Sequence, residues 1–213
     1  MTLLVAALTF LTGCLQPDVK DEPQDTGSAT DDTASDTAAD TATDTATDTA
    51  TDSVPLSLIG TAPAEAIDAP EFSAQNRDGA ARGRADLLGQ PTVMWFFPSA
   101  DTPGCTVEGC GYRDLKAQFD ALGVQIVGVG FNPPEAMQAW AEDEGFTYEL
   151  WTDTDRTLAL TYGAAKRPDQ STPSRITMLL DAEGRLLLEY VGAIDTGTHP
   201  KDVLTDCEAL FGR

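Results

Sequence analysis

Apolar and polar positions along residues 54–213 predict strands and helices that alternate. Apolar runs rich in β-branched and aromatic side chains predict strands at 92–97, 124–129, 148–151, 175–180 and 186–191, with extended segments at 54–59 and 71–74. Amphipathic stretches predict a helical turn at 84–88 and helices at 103–122, 134–143, 154–162 and 200–211. The last two strands flank the turn Asp181-Ala-Glu-Gly184 as a hairpin. This order predicts an α/β fold with a mixed central β-sheet flanked by helices.

The start of the chain follows a different pattern. Residues 2–11 are almost wholly apolar and lead into Leu11-Thr12-Gly13-Cys14. This sequence resembles the lipobox, at which bacteria cleave a signal peptide and attach lipid to the new N-terminal cysteine. The apolar run is too short to span a bilayer. We therefore expect residues 1–13 to be a lipoprotein signal peptide and Cys14 to be the lipid attachment site, with a chance apolar N-terminus as the alternative.

Residues 14–53 are predicted to be a disordered acidic tether. They hold almost no apolar side chain larger than Ala or Val, and from Asp31 to Asp52 they follow a repeat of Asp-Thr-Ala-x type. Acidic residues far outnumber the one lysine, Lys20, so the segment repels itself and stays extended. About 40 such residues would span roughly 35 Å as a flexible chain. We expect a spacer that lifts a domain from a membrane, although a charge run that serves only solubility is an open alternative.

The remaining residues, 54–213, are long enough for one domain with a single core. They hold 24 of the 35 acidic side chains and 12 of the 13 basic ones, and the whole chain has a formal net charge of −22. An acidic surface repels phosphate groups. We therefore expect no nucleic-acid partner.

The most informative motif places a cysteine at the start of a helix. The strand at 92–97 is followed by Pro98-Ser-Ala-Asp-Thr102-Pro103-Gly-Cys105. Thr102 is a natural N-cap, and Pro103 fits the first helical position, where a missing N–H group costs nothing. The sulfur of Cys105 would then face unpaired backbone N–H groups and the positive end of the helix dipole, which favour the thiolate. The thiolate is the nucleophilic form, so Cys105 is a candidate nucleophile.

This motif resembles a known family. Pro-x-x-x-Thr-x-x-Cys, from Pro98 to Cys105, matches the active-site signature of the peroxiredoxins. Thr-Pro-Gly-Cys-Thr-x-Glu-x-Cys, ending at Cys110, is similar to their bacterioferritin-comigratory-protein (Q-type) branch. The resemblance extends from about Phe72 to the C-terminal helix and includes Tyr162-Gly-Ala, Ser174-Arg-Ile-Thr and Asp181-Ala-Glu-Gly-Arg in the family's order. It implies a thioredoxin-like fold with the peroxiredoxin extensions.

The resemblance implies a thiol-dependent peroxidase that reduces hydrogen peroxide and organic hydroperoxides without a cofactor. Cys105 would be oxidised to a sulfenic acid, which Cys110 would resolve as a Cys105–Cys110 disulfide recycled by a thioredoxin-type donor. We expect a monomer that is lipid-anchored through Cys14 in the bacterial cell envelope. Because Leu15 and Gln16 follow Cys14, without Asp at the second position, we expect the outer membrane, facing the periplasm.

The resemblance also implies roles for four further residues. Arg175 would supply a permanent positive charge beside the sulfur and hold peroxide oxygens. Thr102 would supply a hydroxyl, although plain N-capping would also explain its position. Pro98 would pack over the sulfur and shield it from water. Glu108 matches the position that orients the arginine.

The spacing of Cys105 and Cys110 has a geometric consequence. On an ideal helix of radius about 2.3 Å, Cα atoms five residues apart are separated by about 8.6 Å. A disulfide needs less than about 7 Å. We therefore predict that the helix unwinds around Cys110 before the two cysteines bond. Gly109 and Gly111 flank Cys110, and each costs about 1 kcal/mol of helix propensity relative to Ala, so this turn is predicted to be weak.

Other interpretations of the cysteines and of His199 stay open. The Cys-x4-Cys pair lacks the short knuckle of a structural zinc site, and Cys207 and His199 come from distant segments, so we predict no metal site. The chain has no Cys-x-x-Cys motif of a disulfide exchanger. A copper-delivery protein on the same fold, which uses Cys-x3-Cys and a distant His, is one alternative. Another is a non-enzymatic thioredoxin-fold lipoprotein with a structural or redox-sensing disulfide. Cys207 is predicted to be a packed structural thiol.

Overall fold

Within residues 57–212, the part of the chain that this computed structural model describes, the apolar runs form seven strands and the amphipathic stretches form four helices. The strands are β1 (Ala74–Asn76), β2 (Ala81–Arg82), β3 (Thr92–Phe96), β4 (Gln125–Gly130), β5 (Glu149–Asp153), β6 (Ile176–Leu180) and β7 (Leu186–Tyr190). The helices are α1 (Pro103–Ala121), α2 (Pro134–Glu144), α3 (Thr157–Thr161) and α4 (His199–Phe211), with a 3-10 turn at Arg84–Leu87. The expected mixed sheet between helices is confirmed.

The strands form one sheet in the order β2-β1-β5-β4-β3-β6-β7. Strands β3, β4 and β5 run parallel to one another, whereas β1, β2, β6 and β7 join through antiparallel pairs. The carboxyl ends of β3 and β4 therefore meet at one edge of the sheet. The loop that leads into α1 starts at this edge.

Alternate residues of β3 serve two separate cores. Val93 and Trp95 pack in a cluster with residues of α1, α2 and α4, whereas Met94 and Phe96 pack in a second cluster with residues of α3 and the 3-10 turn. All five residues of β3 are buried because helices cover both faces of the sheet. The first cluster contains Cys105, so the candidate nucleophile is part of a packed core.

Two sequence predictions differ from the structure at the edges of the sheet. The extended segment at 54–59 is not a strand in its described part; instead Thr61 forms an isolated antiparallel bridge with Glu189 of β7. The segment at 71–74 enters a strand only at Ala74, and this strand forms a hairpin with β2 that was not predicted. Side-chain oxygen Oδ1 of Asn76 accepts the N–H groups of Asp78 and Ala80, which stabilises the hairpin turn.

Helix α3 is also shorter than predicted, because it begins at Thr157 and not at Thr154. Asp155 Oδ1 accepts the N–H of Thr157, and Asp153 Oδ2 accepts the N–H of Ala159. Both carboxylates accept N–H groups of the first turn of α3 and so cap it. Arg156, directly before α3, has a left-handed φ of 64°, so the helix does not extend back to Thr154.

The signal peptide and the tether predicted for residues 1–53 lie outside the described residues, so these boundaries stay predictions. The start of the domain at residue 54 stays a prediction as well. In residues 57–212, no helix is both long and apolar enough to cross a membrane.

Candidate active site

Cys105 is the third residue of α1 and is completely buried. Thr102 stands at the N-cap position, and Pro103 occupies the first helical position, as predicted. The carbonyl of Thr102 accepts the N–H of Thr106 at 2.8 Å. The N–H groups of Gly104 and Cys105 donate to no acceptor within the described residues. These donors remain available to an anion or to a peroxide oxygen.

The side chain of Thr102 does not cap the helix, which corrects the simple capping interpretation. Its hydroxyl donates to the carbonyl of Ser99 at 3.0 Å and makes no hydrogen bond to the first turn of α1. Because its proton is committed to Ser99, Oγ1 faces a ligand as a hydrogen-bond acceptor. Thr102 is therefore suited to accept a hydrogen bond from the O–H group of a bound hydroperoxide.

A half-buried cation contacts the sulfur of Cys105. Arg175, which directly precedes β6, donates from Nη2 to Cys105 Sγ at 3.2 Å and from Nη1 to Glu108 Oε2. Glu108 is completely buried one turn after Cys105 on α1, and the side chain of Arg175 is 20% exposed. The structure thus brings together the predicted site residues Cys105, Glu108 and Arg175. Cys105 and Arg175 are 70 positions apart in sequence.

Burial sets the protonation of this group. Burial raises the pKa of Glu108 from 4.5 to about 7, although the charge and the hydrogen bonds of Arg175 lower it. Burial alone would lower the pKa of Arg175, but Glu108 and Cys105 together raise it. Arg175 therefore stays charged between two acidic partners. A guanidinium with one fork on the sulfur and the other on a carboxylate is held in place beside Cys105.

The loop before Cys105 is fixed by the neighbouring strand end. Asn132 follows β4, and its Oδ1 accepts the N–H of Ala100 at 2.9 Å. The carbonyl of Asn132 in turn accepts the hydroxyl of Thr152 at 2.7 Å. Pro98 lies half-buried in this same loop, between β3 and α1. Asn132 is not among the predicted site residues, although a polar residue at the carboxyl end of a parallel strand next to β3 is a usable signal.

Cys110 lies in the second turn of the same unbroken helix. It is almost fully buried, and its Sγ lies 3.6 Å from Glu144 Oε2, at the end of α2. Cys105 is a free thiol, so the Cys105–Cys110 disulfide is not formed in this structure. Since α1 runs continuously from Pro103 to Ala121, helical geometry keeps the two cysteines too far apart to bond.

Gly109 and Gly111 have a packing role that their helix propensity does not predict. A Cβ atom on Gly109 would lie 2.7 Å from Phe146 Cζ, and one on Gly111 would lie 2.8 Å from Pro200 Cγ. Real Cβ atoms do not approach other atoms so closely. Alanine at either position would therefore not simply stabilise the helix, because each methyl group would push a packed ring away.

His199 and Cys207 are both buried. His199 Nε2 lies 2.9 Å from Thr177 Oγ1, and burial, with the charge of Arg175, lowers the pKa of His199 to about 4. Cys207 is a free, fully buried thiol whose pKa burial and two nearby acids raise to about 12. Within residues 57–212, no three His, Cys, Asp or Glu side chains form a candidate metal cluster. Cys14 lies outside the described residues.

Comparisons with known proteins agree on one family. A model of the AhpC/TSA family matches residues 67–188. Peroxiredoxin Bcp of Escherichia coli is 33% identical over 123 residues, which cover 55% of this chain and 79% of that protein. Peroxiredoxin Q of Gentiana triflora, a chloroplast protein, is 27% identical over 135 residues, covering 63% of this chain and 62% of that protein.

Solved structures show the same similarity in three dimensions. Peroxidoxin BcpB of Mycobacterium tuberculosis superposes with a TM-score of 0.63 at 27% identity, over 71% of this chain and 97% of that one. A bacterioferritin comigratory protein of Xanthomonas campestris, whose alkyl peroxide reduction activity is described, superposes with a TM-score of 0.61 at 24% identity. This superposition covers 72% of this chain and 98% of the Xanthomonas campestris chain.

Proposed function

Since the chain belongs to the AhpC/TSA family and is a thiol peroxidase of the peroxiredoxin type, we propose that Cys105 is its peroxidatic nucleophile and Cys110 its resolving thiol. The contact between Cys105 Sγ and Arg175 Nη2 at a helix start carries this assignment. The guanidinium and the unpaired N–H groups of the first turn surround this sulfur with donors that can hold a peroxide oxygen and stabilise charge on the leaving oxygen.

In the first step, the thiolate of Cys105 attacks the terminal oxygen of a hydroperoxide. The S–O bond forms as the O–O bond breaks, which leaves Cys105 as sulfenic acid with the hydroperoxide hydrogen on its oxygen. The released alkoxide or hydroxide takes a proton from water. The negative charge moves from sulfur to the leaving oxygen. Arg175 and the N–H groups of the first turn would stabilise this charge, and Thr102 Oγ1 would accept a hydrogen bond from the O–H of the hydroperoxide and hold the O–O bond in line.

In the second step, Cys110 as a thiol attacks the sulfur of the sulfenic acid. The disulfide forms, and the hydroxyl of the sulfenic acid leaves with the proton as water. A thioredoxin-type dithiol then reduces the disulfide with two electrons and becomes oxidised itself. Helix α1 must unwind between the two cysteines for the bond to form.

Three single variants test the assignment, with peroxide consumption followed in the presence of thioredoxin. Cys105→Ser should consume no peroxide. Cys110→Ser should consume one equivalent and then stall as a sulfenic acid that is easily over-oxidised. Cys207→Ser, which changes a thiol that is as fully buried as that of Cys105, should turn over like the wild type. Turnover by Cys110→Ser at the wild-type rate would show that Cys110 is not the resolving thiol. Loss of activity in Cys207→Ser with the fold intact would instead indicate that Cys207 in α4 resolves the sulfenic acid.

The two alternative functions are less well supported. Cys105 contacts Arg175, whose positive charge would repel a copper ion at this sulfur, and the chain's relatives carry peroxiredoxin names. A structural or redox-sensing disulfide would survive mild reductant and show no turnover. The stoichiometry of peroxide consumed per protein therefore separates the enzyme from both alternatives.

We further propose that the enzyme is a lipid-anchored monomer in the bacterial cell envelope, at the outer membrane facing the periplasm. The sequence Leu11-Thr-Gly-Cys14 and the acidic segment after it support this proposal. Membrane fractionation of the wild type and of Cys14→Ser tests it. Wild type should sediment with outer membranes and Cys14→Ser should be released, whereas identical partition of both as soluble protein contradicts anchoring. Light scattering of the released Cys14→Ser protein measures its mass and so tests whether it is a monomer.

A further inference from the structure

The last residue of α2 and its connection to β5, together residues 144–148, hold the turn of α1 that contains Cys110. Tyr148 donates its hydroxyl to the carbonyl of Gly109 at 2.9 Å, and both groups are buried. Burial raises the pKa of Tyr148 well above its usual value, so the hydroxyl keeps its proton and remains a donor. The carbonyl that it contacts belongs to the residue directly before Cys110.

Two further contacts join the same connection to the same turn. Phe146 stacks on Tyr148, with ring centroids 5.3 Å apart, and lies so close to Gly109 that only a glycine fits there. Arg113 Nη1 donates to the carbonyl of Glu144 at 2.6 Å. Helix α1 is thus joined to residues 144–148 both before and after Cys110.

These contacts exist only while the turn is helical. Disulfide formation requires Cys110 to move toward Cys105, and this movement takes the Gly109 carbonyl away from Tyr148 and from Phe146. The contact between Cys105 and Arg175 lies one turn earlier in α1 and includes none of these groups. The connection therefore bears on resolution and not on the attack of peroxide.

We propose that residues 144–148 are a latch on the resolving turn, and that the Tyr148 hydroxyl is a positioning group that sets how fast Cys110 is released. The proposal rests on the proposed role of Cys110 as the resolving thiol. A tighter latch keeps Cys105 longer as sulfenic acid, which a second peroxide can oxidise to sulfinic acid. Tyr148 would thereby set the peroxide concentration at which the enzyme is inactivated.

Tyr148→Phe tests the latch because it removes one oxygen and keeps the ring that stacks on Phe146. Loss of one buried hydrogen bond should raise the population of the unwound turn about fivefold, which corresponds to about 1 kcal/mol. Tyr162→Phe is the matched control, since its buried hydroxyl has no hydrogen-bond partner among the described residues and belongs to the second core cluster.

Rapid mixing of the reduced protein with hydrogen peroxide separates the two steps. Trp140 is the reporter, because its Nε1 donates to Thr106 Oγ1 within the turn that must unwind. In Tyr148→Phe, the peroxide-dependent first phase should match the wild type. The peroxide-independent second phase should be about fivefold faster, and half-inactivation should need about fivefold more peroxide. Tyr162→Phe should match the wild type in all three measurements.

Hydrogen exchange of the peptide that contains Cys110 gives a second measurement in the reduced protein before peroxide is added. Its amides should exchange about fivefold faster in Tyr148→Phe than in Tyr162→Phe. A Tyr148→Phe variant with a wild-type or slower second phase and unchanged exchange overturns the latch. The variant Cys110→Ser distinguishes the two failures. If it lacks the second phase, the role of Cys110 stands independently of the latch; if it keeps that phase, both proposals fall.

Discussion

Glu108→Gln tests the electrostatics around Cys105, because it removes a buried carboxylate and keeps its shape. Glu108 is completely buried, and its Oε1 accepts no hydrogen bond from the described residues. Its second oxygen holds Arg175. The substitution should therefore have two separable effects, one on the pH dependence of folding and one on the rate of Cys105 oxidation.

The effect on stability follows from the pKa of Glu108, which rises from 4.5 in the unfolded chain to about 7 in the folded protein. The folded protein thus binds this proton more tightly than the unfolded chain does. The resulting stabilisation is fully present below about pH 4.5 and is lost as the pH rises through about 7. At about 1.36 kcal/mol per pH unit, the loss amounts to about 3 kcal/mol. Glutamine does not titrate. As the pH rises through about 7, the free energy of unfolding of the variant should therefore increase by about this amount relative to that of the wild type.

Urea unfolding of both proteins from about pH 5 to about pH 8 measures this difference, since the other titrating groups are common to both. Glu142→Gln, which changes an exposed glutamate of α2, is the control and should show a difference that is nearly flat with pH. The rate of Cys105 oxidation should fall by about tenfold or more, because Arg175 loses a charge-assisted hydrogen bond. A flat difference for Glu108→Gln would refute the raised pKa, and an unchanged oxidation rate would refute the positioning of Arg175.

Three further variants test other contacts. Gly111→Ala should lower the free energy of unfolding by about 1–3 kcal/mol, because the new methyl group meets Pro200; a thermally more stable variant would contradict this packing. Thr102→Val should slow Cys105 oxidation about tenfold or more while Thr102→Ser retains most of the rate, and equal rates in rapid mixing would exclude the hydroxyl from the reaction. Asp206→Asn should destabilise the domain by about 2 kcal/mol in urea, because the carboxylate accepts two backbone N–H groups at 59 and 60 and the Tyr190 hydroxyl; unchanged unfolding would show that these bonds do not hold the segment.

Local sequence signals predicted the element that carries the nucleophile. Thr102 and Pro103 fixed the start of α1, and the apolar run before them fixed β3, because these signals act over a few residues. The contact of Arg175 with Cys105 spans 70 positions and was available only through resemblance to a family. No local pattern reports which distant side chain will face a helix start.

Contacts made by ordinary core residues were not predictable in the same way. The sequence pattern predicts Tyr148 only as an aromatic residue of a strand. The path of the chain after α2 is what brings its hydroxyl to Gly109. Helix propensity, which describes an isolated helix, predicts only that Gly109 weakens this turn of α1. In the folded domain, the packing of Phe146 decides which residue is tolerated there. Propensity fails where a close neighbour limits the size of a side chain.

The close approach of Phe146 to Gly109 also limits how this enzyme can diverge among lineages. A mutation that adds a methyl group at position 109 is harmful while a phenylalanine ring occupies position 146, and a smaller side chain at 146 leaves a void while glycine remains at 109. Neither change is neutral alone, so the two sites must drift as a coupled pair. We expect relatives with alanine at the position of Gly109 to carry a smaller side chain opposite it, and the order in which the two substitutions accumulate to be constrained by epistasis.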